Sequence, residues 1–213
     1  MDYLNVIFPV LASALLICAV TPVVTWATGR APRRRATVAT AAAAAAITGV
    51  LISGATPDGS GSWTETTAWV VVGVVLSGQV HIDLAVQRLP RQISHVGLVV
   101  VVGLLLASPA PSNGGPVGML VGTVSMWVIT AGLIAVSRHK LGRGDLHLSP
   151  LLGAVIGWFD PWGLLTAWLV TAVAGGAVAA VLLATGQVER DTVIPYGPFM
   201  VLGTVGAWMW VPV

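Results

Sequence analysis

The sequence predicts an all-α protein: a polytopic transmembrane bundle of about eight helices, with both termini on the outer face. Three observations lead there. Hydrophobic residues make up 56% of the 213-residue chain and charged residues only 8%, where a soluble domain carries about 25% charge. The mean hydropathy is +0.90, and a water-exposed fold cannot hide that much apolar surface, so the bilayer must act as solvent. The basic residues, finally, fall in alternate loops between apolar runs.

Spanning the hydrocarbon core takes about 20 apolar residues. The eight candidate runs are 4–27, 36–55, 64–82, 93–108, 116–137, 146–159, 162–185 and 196–212. The first follows Met1, Asp2 and Tyr3 without a basic stretch, so it reads as a retained helix rather than a cleaved signal peptide. The second contains the alanine tract Ala41 to Ala46, small residues that let membrane helices approach closely. Counting about 20 residues from Trp69 carries the third helix on to Arg88. The sixth run is short for a full span, and starting it near Leu141 restores the length. Connecting loops are short and rich in Gly, Pro, Ser or charge. No inverted repeat of the transporter type is visible. A single integral membrane domain over 1–213 suffices, in which residues 1–64 add two transmembrane helices ahead of the segment 65–213.

With the N-terminus outside, the cytoplasmic loops are 28–35, 83–92, 138–145 and 186–195. They hold Arg30, Arg33, Arg34, Arg35, Arg88, Arg91, Arg138, Lys140, Arg143 and Arg190, which are all 10 Lys and Arg residues of the chain. So one-sided a distribution fixes the orientation by the positive-inside rule. A pI near 9.2 therefore reports topology. The net charge is only +2, and neither a phosphate-binding glycine loop nor a nucleic-acid module is present. Cys18 is the only cysteine, mid-helix, which allows no internal disulfide and no cysteine zinc site.

Among the acidic residues, Asp2, Asp58, Glu65 and Asp160 fall outside, and Glu189 and Asp191 lie in a cytoplasmic loop. Asp83 and Asp145 remain, each at the cytoplasmic end of an apolar run. Asp83 lies more than a turn inside its helix end, and an earlier start of the sixth helix draws Asp145 below the headgroups. Carboxylates at that depth are costly and usually face a polar cavity with a function. Two of them at matching depth on different helices suggest a shared site. Like charges a few ångströms apart cannot both ionise easily, so such a pair shares one proton. That suits peptide hydrolysis, in which the ionised partner takes a proton from water and the protonated partner polarises the scissile carbonyl. Charge placement alone leaves two other readings open. The aspartates could be interfacial anchors paired with Arg88 and Arg143, or they could serve a proton-coupled transporter.

The surrounding residues are more specific. Gly142-Arg143-Gly144-Asp145-Leu146-His147-Leu148, followed by Gly153 and Gly157, resembles the GxGD motif of type IV prepilin peptidases. Asp83 followed by Arg88, Leu89 and Pro90 resembles that family's first-aspartate segment. Ile194-Pro195-Tyr196-Gly197-Pro198-Phe199 resembles the Pro-x-Gly-Pro-Phe segment that opens its last helix. The three motifs stand in the family's order and cover roughly 65–213. The resemblance implies a membrane aspartic endopeptidase that cuts the basic leader from prepilins or pseudopilins at the cytoplasmic face of a bacterial cytoplasmic membrane. It implies Asp83 and Asp145 as the catalytic pair, with Gly142, Gly144, His147, Pro90, Pro195, Gly197 and Pro198 in support of site or substrate. Gly142 and Gly144 either allow unusual backbone angles and close approach of substrate or simply make a helix-start turn. No cofactor is implied. The partners are the precursor and the bilayer, with no nucleic acid, and the oligomeric state is open. The alternatives from other classes are the small transporter and a non-catalytic pilus-assembly scaffold; an archaeal preflagellin peptidase would differ only in substrate.

The pattern departs from the family at Arg91, where many members have Asn, and at His147, where many have Lys. Substrate preference or pH optimum is expected to follow. The paired Cys-x-x-Cys motifs of the methyltransferase domain have no counterpart, which implies the short form, without N-methylation or zinc. His81, His95, His139 and His147 make no metal-ligand spacing. The nine tryptophans mostly sit near helix ends as an aromatic belt. Arg33, Arg34 and Arg35 read as topology determinants against anionic lipid.

Overall fold

The computed structural model describes residues 42, 46–49, 62–86, 91–111, 113–136, 142–187 and 196–210. From residue 62 on these form six helices, and no described residue is in a strand: α1 (Trp63–Val86), α2 (Arg91–Leu106), α3 (Gly115–Val136), α4 (Arg143–Phe159), α5 (Gly163–Ala184) and α6 (Gly197–Trp210). All six fall on predicted runs, and α4 starts ahead of its apolar core, as the length argument required. The predicted spans 4–27 and 36–55, apart from 42 and 46–49, lie outside the described residues. So do Arg30, Arg33, Arg34, Arg35, Arg88, Arg138, Lys140 and Arg190.

Two helices, α3 and α5, are long and apolar enough to cross a membrane. Val117, Leu120, Val121, Val124 and Val128 form an exposed stripe along α3, and Leu165, Leu169 and Val173 another along α5. Repeated over several turns, such stripes exceed the apolar patches that water-soluble monomers tolerate. At 1.5 Å per residue, the 16 residues of α2, 17 of α4 and 14 of α6 reach about 21–26 Å, short of the roughly 30 Å hydrocarbon core.

Local chemistry sets the helix ends. Ser62 caps α1: its hydroxyl accepts from the Glu65 N–H at 3.2 Å, the spacing of a capping box. Asp160 turns the chain between α4 and α5 by accepting from the Trp162 N–H at 3.0 Å. Past α5, Gly186 adopts φ 67 while the Gly186 N–H bonds Leu183 O at 3.1 Å and the Gln187 N–H bonds Leu182 O at 3.0 Å. That is a Schellman stop, which a Cβ would strain.

Helix α4 is the hub, with α2, α3, α5 and α6 packed around it, while α1 packs on α2 and α6. Its seam with α3 is made by backbone. A Cβ on Gly122 would fall on the Gly153 carbonyl oxygen, one on Gly153 on the Gly122 carbonyl, and one on Gly157 on the Gly118 carbonyl. Four-residue spacing on both helices permits this approach, as small residues do at membrane helix contacts. Pro150 interrupts α4 and cannot donate to Leu146 O; the Ser149 hydroxyl donates to that carbonyl at 3.2 Å instead. Helices α1 and α2 are pegged at two levels, by Ser108 Oγ donating to Thr64 Oγ1 at 2.9 Å and Gln79 Nε2 donating to Ser94 Oγ at 2.7 Å.

The pairs α1–α2, α2–α4, α4–α6 and α6–α1 close a four-helix ring in which α1 and α4 stand diagonally. One end of the ring is filled by Trp69, Phe159 and Trp208, with ring centroids 4.9, 5.0 and 4.1 Å apart.

Candidate active site

Those three rings set the register of the other end. Asp83 follows Trp69 by fourteen residues on α1, and Asp145 precedes Phe159 by fourteen on α4. Each carboxylate therefore stands about 21 Å from the aromatic cluster along its own axis. Antiparallel α1 and α4 thus carry the two aspartates to one level, at the end where α2, α4 and α6 begin.

Both are buried, Asp83 at 6% exposure and Asp145 at 3%. The charge of Asp83 acts on Asp145, and the Gly142 backbone N–H donates to the Asp145 carboxylate. Asp145 thereby reaches back from the first turn of α4 to its N-cap, as the acidic member of a capping box does. The Gly197 backbone N–H, at the start of α6, faces the Asp83 carboxylate. Asp83 Oδ2 has no protein partner among the described residues. An unpartnered buried acceptor of this kind costs about 1–3 kcal/mol, and is expected where a polar reactant is to be held.

Gly142 contributes room and a donor, not an unusual angle. Its φ of −65 and ψ of 134 are ordinary extended values, and the positive-φ glycines among the described residues are Gly115 and Gly186. Of the two readings of Gly142 and Gly144, the helix-start turn is the one observed, and the unusual backbone angles are not. A Cβ on Gly142 would sit 3.3 Å from Asp145 Oδ2; a glycine there leaves the carboxylate free to turn back. Gly144 lies half-buried in the same turn. Gly197 is buried, and Pro198 occupies the first turn of α6, where no N–H is needed. Pro90 and Pro195 lie outside the described residues. His147 points to α2, where its Nδ1 meets His95 Nε2 at 3.1 Å.

Other polar groups at this end were not singled out from sequence. Gln79, one turn before Asp83, is fully buried and bonded to the fully buried Ser94. Tyr196, just ahead of α6, is half-buried. Its phenol lies within electrostatic reach of Asp145. The signal for Gln79 was an amide on an otherwise apolar stretch of α1, which membrane helices rarely carry without a partner. Among the described residues no three His, Cys, Asp or Glu side chains cluster to hold a metal.

Fold and site define a membrane-type helical bundle with a buried pair of carboxylates. Sequence comparison finds proteins that this chain resembles in part. The chain is 27% identical over 146 residues to the prepilin leader peptidase/N-methyltransferase of Xanthomonas campestris pv. campestris, covering 66% of this chain and 49% of that protein. It is 35% identical over 89 residues to the protein of that name in Burkholderia pseudomallei, covering 41% and 28%. It is 30% identical over 94 residues to that of Stutzerimonas stutzeri, covering 44% and 32%. These matches show the chain to be related to the prepilin peptidases, as its three motifs suggest. The aligned part spans at most about half the length of these relatives. No family model matches the chain, and no solved structure does.

Proposed function

We propose that the chain is a membrane aspartic endopeptidase that removes the leader from a prepilin-like or pseudopilin-like precursor. The observation that carries this reading is the pair Asp83 and Asp145, buried on diagonal helices and within electrostatic reach of one another. One carboxylate acts ionised and takes a proton from the attacking water. The other acts protonated and donates to the scissile carbonyl; when the C–N bond breaks, the proton taken from water passes to the leaving amine and the diol hydroxyl returns a proton to the second carboxylate. Asp83 Oδ2, which has no partner among the described residues, is the acceptor assigned to the water in this reading, and the backbone N–H groups of Gly142 and Gly197 support the two carboxylates. No metal is needed for these steps.

The substrate's apolar helix lies in the bilayer, with its leader junction near the aspartate end of the ring. That end is cytoplasmic in this reading, because every Lys and Arg residue stands on its side of an eight-helix, N-out/C-out topology. The carboxylates stand near the helix ends rather than mid-bilayer, which favours a peptidase over a proton-coupled transporter. The test is co-expression with a pilin-like precursor, following the precursor's size, beside Asp83→Asn and Asp145→Asn variants checked for normal membrane insertion. Wild type is expected to shorten the precursor and both variants to leave it whole. Cleavage surviving either change would contradict the dyad.

A further inference from the structure

His95 on α2 and His147 on α4 are 52 residues apart in sequence, yet His95 Nε2 and His147 Nδ1 lie 3.1 Å apart. The rings meet edge to face, with centroids 5.0 Å apart and planes at 76°. His95 is exposed and His147 partly so, so the pair is not sealed inside the bundle. Two nitrogens bound to one tetrahedral zinc at 2.0–2.1 Å are separated by about 3.3 Å. The observed spacing is therefore close to a two-imidazole bite.

We propose that His95 and His147 form a binding site for a divalent transition metal of the zinc class, with water completing the coordination. Each ring gives one lone pair: Nε2 of His95, with its proton on Nδ1, and Nδ1 of His147, with its proton on Nε2. The metal replaces the ring-to-ring hydrogen bond, and tautomer exchange removes the facing proton without oxidation or reduction. Imidazole suits zinc, copper and nickel, whereas magnesium and calcium prefer oxygen ligands. Arg91, one turn before His95 on α2, is the cation that acts on His147; its repulsion and the small ligand count set a micromolar rather than a tighter affinity. A bound ion ties α2 to α4 two residues beyond Asp145. The site stands independently of the proposed peptidase activity.

The test is calorimetric titration of Zn²⁺ alone into the full chain in detergent, with Mg²⁺ as the control. Wild type is expected to bind one Zn²⁺ at micromolar concentration and to unfold at a higher temperature when loaded. His95→Ala and His147→Ala are each expected to weaken binding by about tenfold or more, as loss of one arm of a chelate requires. His95→Cys, which restores a ligand, is expected to recover binding, and Arg91→Ala to tighten it severalfold. The exposed position of His95 keeps its variants folded, which circular dichroism checks. Equal affinity in wild type and His95→Ala, or no Zn²⁺ uptake below millimolar concentration, would overturn the site.

Discussion

At one end of the α1–α2–α4–α6 ring, Trp69, Phe159 and Trp208 pack ring against ring. At the other, about 20 Å away along the helices, the same α1 and α4 hold Asp83 and Asp145, with one carboxylate oxygen unpartnered. The aromatic end gains from every contact it makes, since large rings bury much apolar area and add edge-to-face attraction. The carboxylate end loses by burial and by like charge. The two ends coexist because α4 is clamped elsewhere, by the backbone-to-backbone seam with α3 at Gly118, Gly122, Gly153 and Gly157. Stability is concentrated in the rings and the seam, and the proposed reactivity in a site that a stability-maximising sequence would have filled with leucine.

Substitutions should therefore separate the two ends. The largest effect is expected from Asp83→Asn or Asp145→Asn. Each should cut the cleavage rate by at least about 10²–10⁴-fold, the usual contribution of a positioned proton-transfer group, while leaving the unfolding midpoint unchanged or raised. Trp69→Ala should do the reverse. It is expected to cost about 3–5 kcal/mol of stability, as large aromatic truncations do, read by denaturant unfolding in detergent, with the rate per folded molecule little changed. Next comes Gly122→Ala, whose methyl meets the Gly153 carbonyl. A destabilisation of about 1–3 kcal/mol is expected from overpacking, with Gly103→Ala, where a Cβ meets nothing within 4 Å, as the silent comparison. The smallest is Ser62→Ala, which removes the α1 cap for about 1 kcal/mol and should show in amide exchange of the first turn of α1.

Much of this was legible in the chain itself. Apolar run length located all six described helices, with the largest boundary difference, four residues, at the end of α1. The lone deep carboxylates of two runs pointed to one shared level, and the register through Trp69 and Phe159 agrees. What the sequence hides is pairing across distance. Gly153 and Gly157 were visible beside the Asp145 motif, but nothing local says that Gly118 and Gly122 face them. The four histidines gave no ligand spacing, because His95 and His147 meet only once α2 packs on α4. Gln79 and Ser94 are likewise partners only in the folded α1–α2 pair. The role of Gly142 stayed open in the sequence because a missing Cβ leaves the same trace whether it frees a torsion or makes space. Here it makes space for Asp145.

The most direct test of the central claim is a rate comparison of wild type, Asp83→Asn, Asp145→Asn and the double variant on one prepilin-like substrate in the same vesicles. If the two carboxylates work as a unit, the single variants and the double variant should all fall to a common floor, as groups acting together lose activity non-additively. A single variant that keeps its rate within about tenfold of wild type, below what a proton-transfer residue contributes, would contradict the account.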